Sequence, residues 1–112
     1  MLPSKNRLSK TSDFKELALK GRPFYSSFLT LKILKESGLT SRFGVVVSAR
    51  VSKKATVRNK IKRRITEIVR LNLNNLAAGF KIMILVKPAA ASKNYREIKE
   101  EIGKLLKQAR IL

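Results

Sequence analysis

The basic run at residues 53–64 is the part of this chain whose residue types and spacing could do chemistry. Eight of its twelve residues are basic or amide-bearing, in the order Lys-Lys-Ala-Thr-Val-Arg-Asn-Lys-Ile-Lys-Arg-Arg. Val57 and Ile61 lie four positions apart, which is the spacing of neighbours on one helix face. Cationic groups held at fixed geometry on a folded body are what binding a polyanion requires. The run therefore predicts a protein that binds nucleic acid.

The individual side chains of the run suit different groups of a nucleic acid. Arg58 offers a planar fork to a phosphate, and Lys62, one turn later, is a neighbouring point charge. Asn59 can donate and accept, so it suits a phosphate, a 2′-hydroxyl or a base edge. Lys53 and Lys54 precede the predicted helix and add charge to its positive N-terminus. The remaining cations of the predicted RNA-binding face are Lys60, Arg63 and Arg64.

A plainer interpretation is a helix whose solvated faces merely happen to be basic. Such a helix usually interleaves Glu with Lys, because opposite charges one turn apart stabilise it. Here Glu67 is the only acid between Arg50 and Arg70. The charge pattern therefore favours a binding surface.

The composition limits the partner and the chemistry. The 112 residues include 26 Lys and Arg against 7 Asp and Glu, a net charge of +19. Nucleic acid is the expected partner because each neutralised phosphate releases counterions; a solubilising surface and an anionic membrane are the alternatives.

There is no Cys and no His, so thiolate sites and imidazole catalysis are excluded. Without a signal-peptide core or a spanning run, we expect a cytoplasmic protein with no membrane partner.

Most of the seven carboxylates have a predicted structural role. Asp13, Glu16 and Glu97 have the positions of helix-terminal caps, and Glu100 and Glu101 lie on the exposed face of the last predicted helix. No pair has the spacing of a hydrolytic site or a metal cluster. We therefore expect no active site in the protein alone and no dedicated metal site.

The hydrophobic pattern predicts a single α+β domain over residues 1–112, with residues 1–8 as a basic N-terminal arm. Three helices pack on one mostly antiparallel sheet of about four strands, in the order α-β-β-β-α-β-α. The predicted elements are a helix from Ser12 or Asp13 to Gly21, a strand over 24–34, a turn over 36–41, a strand over 43–47, a basic connection over 48–55 with or without a short strand, a helix from Val57 into the seventies, a strand over 81–86 and a helix after its cap Asn94.

Two faces of these elements have open interpretations. Alternation along residues 24–34 puts Tyr25, Leu29, Leu31 and Ile33 on a core face and Phe24, Ser26, Phe28, Thr30 and Lys32 on the other. The second face is either open to a ligand or covered by helices. Phe14 is either a stacking platform for an unpaired base or core. The arm cations Lys5, Arg7 and Lys10 contact phosphate or are solvated.

These residues resemble the bacterial ribonuclease P protein subunit. Its hallmark is a helix that opens on Arg-Asn, two variable residues and Lys-Arg, matched here by Arg58-Asn59-Lys60-Ile61-Lys62-Arg63. A valine-rich strand runs into a basic turn upstream of it, as in residues 44–54. Arg7-Leu8, Asp13-Phe14, Lys20-Gly21 and Lys87-Pro88-Ala89 also match the family pattern in order. The resemblance covers nearly the whole chain.

The resemblance implies a function in tRNA maturation. A partner RNA would be the catalyst and would remove the 5′ leader of precursor tRNA using Mg²⁺ held mainly by that RNA and its substrate. The protein would bind the catalytic RNA through the basic run and the single-stranded leader in a cleft between the first helix and the sheet. The cleft residues implied are Phe14, Ser26, Phe28, Thr30, Lys32 and Arg50. The strand–helix–strand crossover would be left-handed, against the right-handed default.

The chain departs from the family pattern at three positions. Ala49 and Ser52 stand where lysine and glycine are common, and Lys32 occupies a cleft position that is often aromatic. Leader contacts would then depend more on charge than on stacking. The catalytic RNA and precursor tRNA are the expected partners, with no obligate protein partner. The alternatives are a structural RNA-binding protein of ribosomal-protein type and a nonspecific DNA-compacting protein.

Overall fold

A computed structural model of the chain describes residues 4–8, 10–36, 38 and 40–112. Parts of two predictions, residues 1–3 of the arm and Ser37 and Leu39 of the turn, lie outside the described residues. The helices are α1 (Thr11–Lys20), α2 (Ala55–Asn72) and α3 (Tyr95–Gln108). The strands are β1 (Arg22–Tyr25), β2 (Leu29–Lys35), β3 (Arg42–Val47) and β4 (Phe80–Val86). Short 3₁₀ turns cover Ser4–Asn6, Leu73–Asn75 and Pro88–Ser92.

The four strands form one mixed sheet in the order β1-β2-β4-β3. β2 pairs antiparallel with both β1 and β4, whereas β3 pairs parallel with β4. The parallel pair is possible because α2 carries the chain from the end of β3 back to the start of β4. The predicted α+β fold and its element order are confirmed, and the sheet is mostly antiparallel as expected.

The predicted single strand over residues 24–34 is wrong, because these residues form the hairpin β1–β2. The Ser26 hydroxyl accepts a hydrogen bond from the Leu29 backbone N–H at 3.0 Å, and the chain reverses there. Phe24 pairs with Leu31, so the two share a face. Alternation counted through a turn assigns the wrong face to every residue before it.

The faces of three aromatic residues change as a consequence. Tyr25, predicted as core, pairs with Thr30 on the opposite face and is 66% exposed. Phe28, predicted as a cleft residue, is only 4% exposed and belongs to the main core. Phe24 also packs against that core.

The main core lies between one face of the sheet and the helices α2 and α3. The predicted isoleucine stripe of α2 is confirmed, since its four members are all buried: Ile61, Ile65, Ile68 and Val69. Helix α3 contributes Ile98, Ile102, Leu105 and Leu106. Helices α2 and α3 therefore cover the centre of the sheet on this side, and the cationic residues of α2 must point away from it.

The opposite face of the sheet carries a smaller hydrophobic cluster beneath α1. Leu17 and Met83 are buried there with Leu8, and Phe14 packs at the edge. Because α1 has only ten residues, it leaves part of this face uncovered.

The two outer helices begin differently from each other. The prediction that Asp13 and Glu16 cap α1 is wrong: the helix begins at Thr11 after Lys10, which makes no side-chain capping bond, and Asp13 lies inside the helix and is buried. In α3 the predicted cap is confirmed. Asn94 accepts a hydrogen bond from the Glu97 N–H at 2.9 Å, and Glu97 accepts one from the Asn94 N–H at 3.2 Å.

The described part of the predicted arm is attached to the edge of β3. The Leu8 N–H donates to the Phe43 carbonyl at 2.8 Å, and the Asn6 side-chain amide donates to the Ser41 carbonyl at 2.9 Å. Lys5 and Arg7 remain exposed. Residues 4–8 are therefore a bound segment that presents cations, which differs from a free arm.

Candidate nucleic-acid interface

The exposed side of α2 is a cationic surface with a fixed orientation. Its isoleucine stripe is buried, so the helix cannot rotate without exposing apolar area. Asn59, Lys60, Lys62 and Arg63 are exposed on the other side, while Arg64 is half-buried. In the described part of the chain, no hydrogen bond or ion pair holds these five side chains. They are available to phosphate groups.

The segment before α2 brings further cations to the same end of the helix. Lys53 and Lys54 are exposed, and the predicted extra strand is not formed among residues 48–54, which are turns and loop. Arg58 differs from its neighbours because its guanidinium is already engaged. Its Nη1 donates to the carbonyl of Ser52 at 2.8 Å and to that of Lys53 at 3.0 Å.

Helix α1 lies along one row of residues that crosses the sheet. The row runs from Lys32 through Met83 to Gly44. A Cβ atom on Gly44 would lie 2.5 Å from Cε1 of Phe14, so only glycine lets the aromatic ring rest on the sheet there. At the other end of α1, Lys32 Nζ donates to the Ala18 carbonyl at 2.9 Å. Lys32 thus binds the end of the helix in this structure, and its expected contact with the leader stays a prediction.

An ion-pair network flanks α1 on one side. Lys81 Nζ lies 2.9 Å from Asp13 and 3.2 Å from Glu16, while Arg42 lies 3.4 Å from Asp13 and 2.5 Å from Glu36. The hydrogen bond from Lys81 lowers the pKa of Asp13, and the same bond raises the pKa of Lys81. The carboxylates predicted as caps therefore attach α1 to the sheet.

An open row of residues flanks α1 on its other side. It crosses the sheet as Tyr25, Thr30, Leu85 and Val46. Tyr25 is exposed, Leu85 and Val46 are half-buried, and Thr30 is buried between its neighbours. The Lys87 ammonium lies 5.6 Å from the centroid of the Tyr25 ring, within cation–π range.

The sequence prediction missed three members of this open row, Tyr25, Leu85 and Val46. The pair Ser26-Ser27 was the available signal, because two small polar residues inside an apolar alternation are typical of a hairpin turn. When residues 26 and 27 are taken as a turn, Tyr25 pairs opposite Thr30 and lies on the same face of the sheet.

The structure brings together only part of the predicted leader-binding set. Phe14, Thr30 and Lys32 lie on the sheet face that α1 partly covers. Ser26 lies in the β1–β2 turn, where its hydroxyl bonds to Leu29. Phe28 is removed from the face by its burial in the main core, with Lys93 Nζ 5.4 Å from its ring centroid.

Arg50, the remaining predicted leader contact, lies in the turn after β3. Its side chain is exposed. It is therefore one of the loop cations, with Lys53 and Lys54. It follows the C-terminal end of β3, where Val46 of the open row also lies. Its expected role in leader binding stays a prediction.

One groove connects the two predicted RNA-binding regions. It has a volume of about 690 Å³ and passes β3 where Arg7 and Leu8 lie along that strand. Phe14 and Gly44 line it from the α1 side, and Lys62 and Arg63 line it from α2. An extended polyanion could therefore contact the aromatic ring and the helix cations together.

Residues 4–8, 10–36, 38 and 40–112 contain no group of three acidic, His or Cys side chains arranged to hold a metal ion. No described helix is long and apolar enough to cross a membrane.

Comparison with known proteins gives the family. The family model described as Ribonuclease P matches residues 2–110. The chain belongs to the ribonuclease P protein family. It is 39% identical over 113 residues to the ribonuclease P protein component of Pseudanabaena sp. (strain PCC 6903), covering 100% of this chain and 97% of that relative. The corresponding protein of Microcystis aeruginosa is 38% identical over 115 residues, with 99% and 96% covered.

Solved structures of ribonuclease P proteins share the fold. The protein from Thermotoga maritima superposes with a TM-score of 0.83 at 28% identity, covering 91% of this chain and 96% of that one. The Staphylococcus aureus protein superposes with a TM-score of 0.88 at 23% identity, covering 95% and 96%; at that identity the likeness concerns the fold alone. The resemblance carried by the Arg-Asn-x-x-Lys-Arg helix is therefore confirmed.

Proposed function

We propose that this chain is the protein subunit of a ribonuclease P whose catalyst is a partner RNA, and that it helps that RNA to remove the 5′ leader of precursor tRNA. The observation that carries the proposal is the exposed cationic side of α2, where Lys62 and Arg63 are exposed in a stretch, residues 37–66, whose sequence contains no acid. Family membership supports the assignment to tRNA processing.

The protein's contribution is electrostatic. A catalytic RNA and its RNA substrate repel each other, and a protein of charge +19 between them screens this repulsion. Mg²⁺ that would otherwise serve as a counterion is then needed at lower concentration. The described acids do not form a cluster that fits a metal ion, so we assign Mg²⁺ to the RNA and its substrate.

The catalytic RNA binds the α2 side in this proposal. Lys60, Lys62 and Arg63 give direct phosphate contacts, Asn59 supplies a donor and an acceptor, and the loop cations Lys53 and Lys54 extend the same surface. These contacts hold the RNA without reading its sequence.

The leader binds the sheet face beside α1. The open row offers Tyr25 for stacking and the half-buried Val46 and Leu85 for apolar contact with unpaired bases. Phe14 extends that surface toward the groove. Because mature tRNA lacks the leader, only the precursor gains these contacts, and the subunit favours the substrate over the product.

Reconstituted cleavage of precursor tRNA tests this proposal. The double variant Lys62→Ala/Arg63→Ala should need more Mg²⁺ and more protein for half-maximal cleavage than the wild type. The matched control Lys99→Ala/Lys104→Ala removes two exposed charges from α3 and should behave like the wild type.

The outcomes separate the proposal from a general charge effect. Equal losses in both double variants would mean that net charge alone matters, and the assignment of α2 would be wrong. Equal binding of precursor and mature tRNA, with no acceleration of cleavage, would support a structural RNA-binding protein instead.

A further inference from the structure

We propose that Arg58 is a positioning residue: it holds the loop before α2 so that Lys53 and Lys54 face the catalytic RNA. This inference rests on the proposed function. It differs from a direct phosphate contact by Arg58, which the sequence alone suggested.

The hydrogen bonds of Arg58 carry the inference. One guanidinium nitrogen, Nη1, donates to two consecutive backbone carbonyls, those of Ser52 and Lys53, at 2.8 and 3.0 Å. The residue is half-buried, whereas Lys62, one turn further along α2, is exposed. The loop has no acid with which the guanidinium could form an ion pair. Its two bonds to neutral carbonyls therefore serve to hold the loop backbone against the helix.

The other interactions of the loop show what Arg58 adds. Val51 is buried in the main core and anchors one end of the segment. The Lys54 N–H donates to the Ser52 hydroxyl at 3.2 Å, which is a local turn contact. Lys54 occupies the N-cap position of α2 but makes no side-chain capping bond. Arg58 therefore supplies the side-chain contact from the helix that fixes the backbone of residues 52 and 53.

The energetic consequence concerns RNA binding more than folding. Ordering a loop backbone costs conformational entropy, and a loop that is already ordered avoids that cost when RNA binds. The cations on α2 itself are positioned by the helix and need no such support. Loss of Arg58 should therefore act through Lys53 and Lys54 and leave the contribution of Lys62 unchanged.

A mutant cycle on the full-length protein tests the route. Equilibrium binding of the ribonuclease P RNA is measured for the wild type, Arg58→Ala, Lys53→Ala/Lys54→Ala and the triple variant. If Arg58 acts through the loop, the triple variant binds within about twofold of the weaker parent, because the effects overlap. If the fold-losses multiply, Arg58 contacts RNA independently and the inference is wrong.

Hydrogen exchange of the free protein gives a readout that direct RNA contact would not move. The Val51 and Lys54 backbone amides, which donate to the Ser48 carbonyl at 3.1 Å and to the Ser52 hydroxyl at 3.2 Å, should exchange faster in Arg58→Ala than in the wild type, and at the wild-type rate in Lys62→Ala. Unchanged exchange in Arg58→Ala would overturn the inference. If Arg58→Ala does not fold, Arg58→Met keeps the aliphatic stem, removes only the donors, and is subject to the same two outcomes.

Failure of the inference differs from failure of the proposed function. If Lys62→Ala and Lys53→Ala/Lys54→Ala both bind RNA like the wild type, the α2 surface does not bind the RNA and both are rejected. If those variants weaken binding, and the fold-loss in affinity of Arg58→Ala multiplies with that of Lys53→Ala/Lys54→Ala, only the role of Arg58 is rejected.

Discussion

The ammonium group of Lys81 lies 2.9 Å from the carboxylate of Asp13, and this ion pair joins β4 to α1 across 68 positions of sequence. Both side chains are mostly buried, at 12% and 10% exposed. Arg42 and Glu36 extend the network along the same edge of α1. The pair therefore fixes where α1 lies on the sheet.

The opposite end of α1 is fixed by a second cation from the sheet. Lys32 donates to the Ala18 carbonyl in the last turn of the helix, where a positive charge also complements the helix dipole. With both ends attached, α1 covers the row from Lys32 to Gly44 and leaves the next row open. The width of the proposed leader site thus depends on contacts outside it.

Breaking the ion pair should destabilise the protein. Lys81→Met leaves Asp13 and Glu16 facing each other without the ammonium, and we expect a loss of about 2 kcal/mol in the free energy of unfolding, below the value for a fully buried pair. Denaturant unfolding measures it, with Lys99→Met on the exposed side of α3 as control. Equal stability of the two variants would show that the network does not hold α1.

The same pair makes stability depend on pH at both extremes. The pKa of Asp13 is lowered below its ordinary value of 3.8 in the folded protein, so its contribution is complete above that value and is lost as the pH falls through the folded pKa. The pKa of Lys81 is raised above 10.5, so its contribution is lost as the pH rises through the folded pKa. Unfolding curves should show a shallower acid limb for Asp13→Asn than for the wild type; superimposable limbs would contradict this.

The salt dependence of RNA binding should identify direct phosphate contacts. The slope of log K against log salt is negative, and removing one such contact reduces its magnitude by about 0.7–0.9. We expect this change for Lys62→Ala and none for Lys104→Ala, an exposed lysine of α3. Binding of the ribonuclease P RNA at several salt concentrations measures both slopes. A Lys62→Ala slope equal to that of the wild type would remove Lys62 from the interface.

The sequence predicted the main core and the orientation of α2 because both follow from local periodicity. Ile61, Ile65, Ile68 and Val69 repeat with the helix period, and their burial leaves one direction for the cations. The capping box of Asn94 and Glu97 is similarly local, spanning three residues. The predicted element order is also the observed one, but its third strand before α2 comes from the division of residues 24–34 into β1 and β2 and not from residues 48–55.

The errors arose where long-range pairing decides the outcome. Asp13 had the spacing of a helix cap, and nothing near it in the sequence shows that Lys81 lies opposite. Alternation placed Phe28 on the face of Thr30, but Phe28 lies in the hairpin turn that begins at Ser26, before β2 starts at Leu29. Arg58 appeared free because its carbonyl partners are backbone atoms, which a residue pattern does not display. The cationic surface of α2 could thus be predicted, whereas the residues of the proposed leader site on the sheet could not be assigned one by one.

A change at Gly44 should separate leader binding from general stability. In Gly44→Ala the new Cβ would meet the Phe14 ring at 2.5 Å, so the ring or α1 must move, at a cost of about 1–3 kcal/mol in the free energy of unfolding. Because Phe14 lines the groove beside the proposed leader site, we expect the ratio of precursor to mature tRNA affinity to fall as well. Both quantities can be measured on the reconstituted enzyme and the free protein.

Gly103→Ala is the matched control for this substitution. Nothing lies within 4 Å of its new Cβ in α3, so the variant should gain up to about 1 kcal/mol from helix propensity and keep the wild-type affinity ratio. If Gly44→Ala loses stability but keeps the ratio, Phe14 serves only the core, and the leader contacts belong to the open row of Tyr25, Val46 and Leu85. If it loses neither, the close packing of Phe14 on the sheet does not position α1.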